Sequence, residues 1–278
     1  MANITAADVN KLRQQTGSGM MDCKKALVEA DGDFEAAIDI LRKKGQKVAA
    51  NRGDRDANEG LVLAKTTNNG KKAVLVVVNC ETDFVAQNID FNKFATTILD
   101  AAIEKNPASL DELKALKFGN DTLTIAEKII EQTGVIGEKI EVSAYEVIEA
   151  ETTIAYNHPG NKLASIVGFN KIGDKVNEVG KQIAMQVAAM NPLAVDENGV
   201  DKSVIEHELA IGREIALQEG KPEAMVDKIA EGKVKKFLKE NTLLNQDSIS
   251  DNKKNIAQIL KETENDLAVT GFKRIMLG

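Results

Sequence analysis

Few residues in this chain are of the types, and at the spacings, that could do covalent or metal chemistry. Thr16, Gly17, Ser18 and Gly19 have the small residues of a phosphate cradle. No strand precedes them and the nearby lysines are wrongly spaced, so they either hold a phosphate or simply connect two helices. His207 and Glu208 begin a zinc-protease pattern but lack its second histidine, which reads as a helix surface pair. Asp31, Gly32 and Asp33 start like a calcium loop, yet the internal glycine is missing and Arg42 stands where the closing glutamate is required. Two histidines in the whole chain leave little scope for a Ser-His-Asp or Cys-His centre. Cys23 and Cys80 cannot make a disulfide framework or a four-thiolate metal site. Both sit in apolar patterns away from any histidine, so burial as packing residues is expected. The chain carries no catalytic constellation, and this points to binding rather than to an enzyme.

Two segments do not read as generic scaffold. One runs from Leu12 to Leu27 through Arg13, Thr16, Gly17, Met20 and Met21; the other is Asn79, Cys80, Glu81, Thr82, Asp83, Phe84, Val85 and Ala86. In the second, a buried strand delivers a polar turn with an acid beside a large aromatic. Phe84 is either the first core residue of a helix capped by Thr82, or half of an exposed Asp-Phe pair suited to a partner's cleft.

The elements that position these segments can be read from periodicity. Residues 1–50 read as three short helices. Thr5 and Asp8 form a capping box, Val9 and Leu12 lie on the first apolar face, and Cys23, Leu27 and Ala30 mark the second. Phe34, Ala37, Ile38 and Leu41 carry the third, with Gly45 as its expected stop. Six bases and one acid lie between Arg42 and Arg55, and residues 51–58 read as a solvated basic linker. Strand periodicity then takes over: residues 60–65 and 73–78 flank Asn68, Asn69 and Gly70, a hairpin signal. Phe91, Phe94, Ile98 and Ala102 define a helix ending near Asn106 and Pro107. The same order recurs, with strands over 152–156 and 163–169 around Asn157 to Asn161, then a helix through Val179, Ile183 and Val187 to Asn191 and Pro192. Either the core is duplicated or two hairpins look alike by chance. Residues 110–132 read as mostly helical, 140–150 and 267–277 as strands, and 253–265 as a helix. Helices over 201–240, turning at Gly220 and Pro222, could project as an antiparallel hairpin.

The expected class is therefore α+β. A small three-helix unit (1–50) and the linker (51–58) lead into a core of two related α+β subdomains with antiparallel sheets. These are assigned to 59–140 and to 141–278, the latter holding the helical insertion at about 201–240 and a C-terminal segment.

Composition narrows the function. The chain has 278 residues, enough for about two domains, with 43% hydrophobic and 28% charged residues. A net charge of −7 disfavours a dedicated nucleic-acid binder, and no tryptophan with only 4% aromatic residues disfavours a base-stacking platform. No apolar run approaches the roughly 20 residues of a membrane span. Met1, Ala2, Asn3 and Ile4 begin no charged-then-apolar signal, so a cytoplasmic protein without a membrane partner is expected.

Together, the segment from Leu12 to Leu27 and the turn Thr82, Asp83, Phe84, Val85 resemble the signatures of the translation elongation factor Ts family. The likeness covers the whole chain. It takes in the N-terminal helices (similar to ubiquitin-associated domains), the paired core units, Gly220, Lys221 and Pro222, and the stretch from Ile229 to Lys233 through Lys236 and Phe237. It implies a guanine-nucleotide exchange factor for the GTPase elongation factor Tu, with no cofactor of its own, acting on Mg²⁺ and GDP held by that partner. It also places Thr82, Asp83, Phe84 and Val85 beside the partner's Mg²⁺ site. Leu12, Arg13, Thr16, Gly17, Met20 and Met21 would contact the partner from the helical unit, one of the two methionines being core. His158, Pro159 and Gly160 would contact it from the second core repeat. The helices of 201–240 would dimerise into a 2:2 assembly, contact the partner, or stand as a solvated arm. Three rival readings carry less: an RNA-binding module on Arg42 to Arg55, an adaptor for ubiquitin-like proteins, and an enzyme with a hidden pocket.

Overall fold

The structure is a computed structural model and describes residues 4–278. The expectation drawn from Met1, Ala2 and Asn3 lies outside the described residues.

Three helices open the chain: α1 (Ala6–Thr16), α2 (Met20–Glu29) and α3 (Phe34–Arg52). Thr5 caps α1 as its spacing predicts, its Oγ1 accepting from the Asp8 N–H at 3.2 Å while the Asp8 carboxylate accepts from the Thr5 N–H at 3.0 Å. Val9, Leu12, Cys23, Ala26, Leu27 and Ala37 make a small buried centre. The expected stop at Gly45 is corrected: α3 continues to Arg52, and Gly45 is buried in its interior. The basic linker loses Asn51 and Arg52 to this helix and shortens to residues 53–58. The reason is tertiary. A Cβ built on Gly134 would sit 2.4 Å from the Gly45 Cα, so α3 meets a later helix backbone to backbone. That packing outweighs the weak local penalty of an internal glycine.

The core begins with β1 (Glu59–Thr66) and β2 (Lys72–Cys80), an antiparallel hairpin closed by Gly70 at φ 69°. A single turn, α4 (Asp83–Ala86), leads to α5 (Ile89–Lys105). The stretch expected to be mostly helical divides into α6 (Leu110–Ala115) and α7 (Ile125–Ile136), separated by a loop pinned by a bridge between Lys117 and Thr124. The next strand, β3 (Glu141–Glu149), pairs with β2. The expected subdomain boundary after residue 140 is corrected by this pairing, because β3 completes the first sheet.

A second hairpin, β4 (Thr152–Asn157) and β5 (Leu163–Phe169), is followed by α8 (Asp174–Met190). The antiparallel pair α9 (Lys202–Gln218) and α10 (Glu223–Asn241) comes next, then α11 (Ile256–Thr263) and β6 (Val269–Met276), which pairs with β5. The sheet orders are β1-β2-β3 and β4-β5-β6. In both, the second hairpin strand is central and a later strand joins it. The helices that follow the two hairpins, α5 and α8, each end on an asparagine in the left-handed region, Asn106 at φ 49° and Asn191 at φ 44°, each followed by proline. Asparagine tolerates that conformation and proline cannot extend the helix.

Four layers result. One face of the first sheet (Leu61, Val74, Val76, Val78) packs on α5 through Phe91, Phe94 and Ile98. The other face (Val62, Ala73, Leu75, Val77) packs on Ala164 and Ile166 of the second sheet. The far face of that sheet (Val167, Phe169) packs on α8 and α11. This explains why β2 reads as a continuous apolar run: it is covered on both faces.

Candidate functional site

The end of β2 is a firm place from which to hang a turn, because the strand is central in its sheet and buried on both sides. Cys80 closes it, its thiol donating to the Thr82 carbonyl at 3.1 Å. Burial, reinforced by the negative charge of Glu138, pushes this thiol up to about 12, so it stays protonated. Cys23 is also buried and its thiol is likewise raised by desolvation. Both cysteines are free and structural, as their apolar surroundings predict.

Glu81 turns back towards the helical unit. Its carboxylate accepts from Arg52 Nη1 at 3.1 and 2.8 Å and from the Lys139 N–H at 2.6 Å. Thr82 caps α4, its Oγ1 accepting from the Val85 N–H at 3.4 Å. The same hydroxyl donates to Glu138 Oε1 at 2.8 Å, and the Thr82 N–H donates to Glu138 Oε2 at 3.0 Å. A threonine hydroxyl has the donor and the lone pairs to do both at once. Downstream, Asn92 Nδ2 donates to the Ala86 carbonyl at 3.0 Å, and Ala86 is buried. The turn is thus tied at both ends.

What it presents is Asp83 and Phe84. Phe84 is 82% exposed and Asp83 is exposed. Thr82 is indeed a helix cap, but Phe84 is not the first core residue. In this single turn Val85 and Ala86 pack on the first core while Asp83 and Phe84 stay exposed.

The turn of the second hairpin comes to the same place. Asn157 Oδ1 accepts from the Ala64 N–H at 2.7 Å and its Nδ2 donates to the Ala64 carbonyl at 2.8 Å. One side chain thereby takes both free backbone groups of a residue on the edge strand β1, as a pairing strand would. The Val62 N–H donates to the Asn161 carbonyl at 2.7 Å, and Lys162 pairs with Glu59 at 2.7 Å. The hydrogen bond to Glu59 raises the Lys162 pKa, and the charge of Asp83 adds to the shift. Pro159 and Gly160 (φ 89°) form the corner, with the Asn161 N–H donating to the His158 carbonyl at 2.9 Å, the residue pattern of a type II turn. The His158 ring is held by Tyr156, its Nδ1 lying 3.0 Å from the phenol oxygen. An open cleft of about 580 Å³ results, with Asp83, Gln87 and Asn92 on one side and His158, Pro159 and Gly160 on the other.

A second cleft has a volume of about 490 Å³. Val85, Phe91, Phe118 and Lys128 line it together with Gly17 of the helical unit. The residues singled out from the sequence therefore converge only in part. Asp83 shares one cleft with the His158 turn, and Val85 shares the other with Gly17. Arg13 and Gly17 are exposed, and the half-buried Thr16 donates its hydroxyl to the Leu12 carbonyl at 2.9 Å. Leu12 is corrected as a contact residue, since it is fully buried within the helical unit. The expectation that one methionine is core is also corrected: Met20 and Met21 are 57% and 64% exposed. They begin α2 ahead of its buried stripe of Cys23, Ala26 and Leu27.

Sequence reasoning missed Glu138 altogether, and it missed the contacts that Glu81, Arg52 and Asn157 make. No periodicity marks them, because their partners lie 29 to 93 residues away in the chain. Among the bases between Arg42 and Arg55, Lys44 pairs with Asp22 at 2.5 Å and Arg52 with Glu81. The α9–α10 pair closes through Gly212 against Ala230 and Arg213 on Asp227 at 2.7 Å, leaving Leu217 and Met225 exposed towards its tip. Among the described residues, no group of three or more His, Cys, Asp or Glu could hold a metal ion, and no helix is long and apolar enough to cross a membrane.

A family model described as Elongation factor TS matches residues 81–278, beginning at Glu81 where the exposed turn starts. The chain is 50% identical to the elongation factor Ts of Christiangramia forsetii and 50% identical to that of Flavobacterium psychrophilum, over 278 residues and all of each chain. It is 51% identical to the elongation factor Ts of Amoebophilus asiaticus over 276 residues, 99% of each chain.

Proposed function

This chain belongs to the elongation factor Ts family of translation elongation factors, and from that premise we propose that it is the guanine-nucleotide exchange factor for the GTPase elongation factor Tu. The observation that carries the reading is the exposed Asp83–Phe84 pair on a turn braced at both ends. A solvent-facing phenylalanine contributes little to its own fold, whereas burying it elsewhere yields roughly 1.5–3 kcal/mol. It is thus a wedge in search of a cleft.

In such GTPases the nucleotide is held by a phosphate-cradling loop, with Mg²⁺ bridging protein and phosphate oxygens. Mg²⁺ tolerates little departure from octahedral geometry, so a small displacement of its ligands weakens nucleotide binding sharply. Phe84 inserts between elements of the partner and shifts them. Asp83 brings a carboxylate towards the metal shell, where it repels phosphate and captures waters or ligands without having to coordinate the ion. The turn around His158 and the face bearing Arg13, Gly17, Met20 and Met21 dock on neighbouring surfaces of the partner and aim the wedge. No covalent bond changes.

To remove GDP at equilibrium the factor binds empty Tu more tightly than loaded Tu. By linkage, GDP or GTP weakens factor binding by the same ratio, so incoming GTP displaces the factor. The test is stopped-flow release of fluorescent GDP from Tu with and without this chain. Release is expected to accelerate with the wild type and to slow again with Asp83→Ala. Equal affinity of this chain for loaded and nucleotide-free Tu would rule exchange out.

A further inference from the structure

We propose that Glu138 is a positioning residue for nucleotide exchange, holding the turn that presents Asp83 and Phe84 in its working conformation. The proposal rests on the reading of Thr82–Val85 as the exchange element and adds a residue outside that motif.

The geometry is reciprocal. Glu138 follows the C-cap of α7, Gly137, which lies at φ 81° and turns the chain back towards β2. Its two carboxylate oxygens are divided between the two donors of one residue: Oε2 takes the Thr82 N–H at 3.0 Å and Oε1 takes the Thr82 hydroxyl at 2.8 Å. In return the Glu81 carboxylate takes the Lys139 N–H at 2.6 Å. Two adjacent residues on each segment thus exchange carboxylate-to-amide bonds, which ionised acceptors make stronger than neutral pairs.

Glu138 also decides which way the Thr82 hydroxyl points. Because that proton goes to Oε1, the oxygen's lone pair is free to receive the Val85 N–H, and this bond starts α4. Without the carboxylate the hydroxyl is free to rotate, the cap weakens, and Asp83 and Phe84 sample orientations that miss the partner's cleft. The core has no need of this clamp, since Cys80, Ala86 and Phe91 are buried by apolar neighbours on either side of it.

Glu138 lines neither the cleft of the His158 turn nor the one beside Gly17. Its loss should therefore act on the step that needs a preorganised wedge. Glu138→Ala is expected to lower the saturating rate of GDP release about tenfold, equivalent to about 1.4 kcal/mol. The half-saturating factor concentration stays within about twofold and thermal unfolding is little changed. Glu138→Gln keeps one acceptor oxygen and falls between.

The experiment combines saturating stopped-flow release of fluorescent GDP with amide hydrogen exchange at Thr82 and Val85, for wild type, Glu138→Ala, Glu138→Gln and, as control, Phe84→Ala. Faster amide exchange with a lowered saturating rate supports the proposal. Unchanged protection of Thr82 and Val85 overturns it, as does a loss of rate matched by general unfolding. If protection falls but release does not, the control separates the failures. A Phe84→Ala with a lowered rate or a raised half-saturating concentration then leaves the turn as the exchange element and removes Glu138's role. A Phe84→Ala at wild-type rate and wild-type half-saturation removes the reading of the turn itself.

Discussion

Replacing Phe84 with alanine isolates the wedge. In the free chain the ring is 82% exposed, so its removal touches almost no packing and stability should stay within about 0.5 kcal/mol of wild type. In the complex the balance reverses. About four-fifths of the roughly 1.5–3 kcal/mol released by burying a phenylalanine is still available, or about 1.2–2.5 kcal/mol. If that energy is realised only as the partner is prised open, it converts at about 1.36 kcal/mol per tenfold into roughly an eight- to seventyfold loss of the saturating GDP-release rate. If it is realised equally in docking, the half-saturating concentration rises instead and the saturating rate holds. The assay is stopped-flow release of fluorescent GDP from elongation factor Tu across a range of factor concentrations, with thermal unfolding of the free variant alongside. A wild-type rate and a wild-type half-saturation in a fully folded Phe84→Ala would refute the argument that the exposed ring does work on a partner.

The helix crossing offers an asymmetric pair. Gly134→Ala drives a Cβ to 2.4 Å from the Gly45 backbone and should destabilise by about 1–3 kcal/mol, outweighing the helix-propensity gain of about 1 kcal/mol. Gly45→Ala meets Gly134 only at 3.6 Å and should be neutral or mildly stabilising, and urea unfolding compares the two. Asn157→Ala strips both backbone partners from Ala64 and should cost about 1–3 kcal/mol, read by the same unfolding and by faster amide exchange at Ala64. The Cys80 thiol, raised by burial from 9.0 to about 12, stays protonated in the folded chain while the unfolded chain releases its proton near the ordinary value. Its contribution is therefore complete below about pH 9 and is lost as pH rises towards about 12. Between pH 8 and 10.5 the wild type should lose more stability than Cys80→Ala.

The braced turn and the two clefts beside it share one construction. Polar groups distant in sequence hold them: Arg52 on Glu81 and Asn157 on Ala64 between units, and Glu138 on Thr82 within the first core unit. Charged and hydrogen-bonded contacts specify one geometry where a purely apolar contact would tolerate sliding. That suits a protein whose proposed task is to press on a partner rather than to enclose a substrate.

Local pattern was enough for the elements whose causes are local. The Thr5 capping box, both hairpins, the repeated helix ending in Asn and Pro, and the burial of both cysteines follow from spacing and side-chain chemistry within about twenty residues. The Thr82 to Val85 motif was legible as a signature, and its acid and aromatic side by side suggested a surface role. Whether Phe84 points in or out was not legible, because helix capping accounts for either. Three-dimensional packing decided the rest. It carried α3 past Gly45, since a backbone-to-backbone contact with Gly134 needs two glycines 89 positions apart. It gave β3 to the first sheet, buried Leu12, exposed both methionines, and set Glu138 on Thr82 from 56 residues away. Periodicity reports which face of an element is apolar, while the identity of what covers that face is settled only when the chain closes on itself.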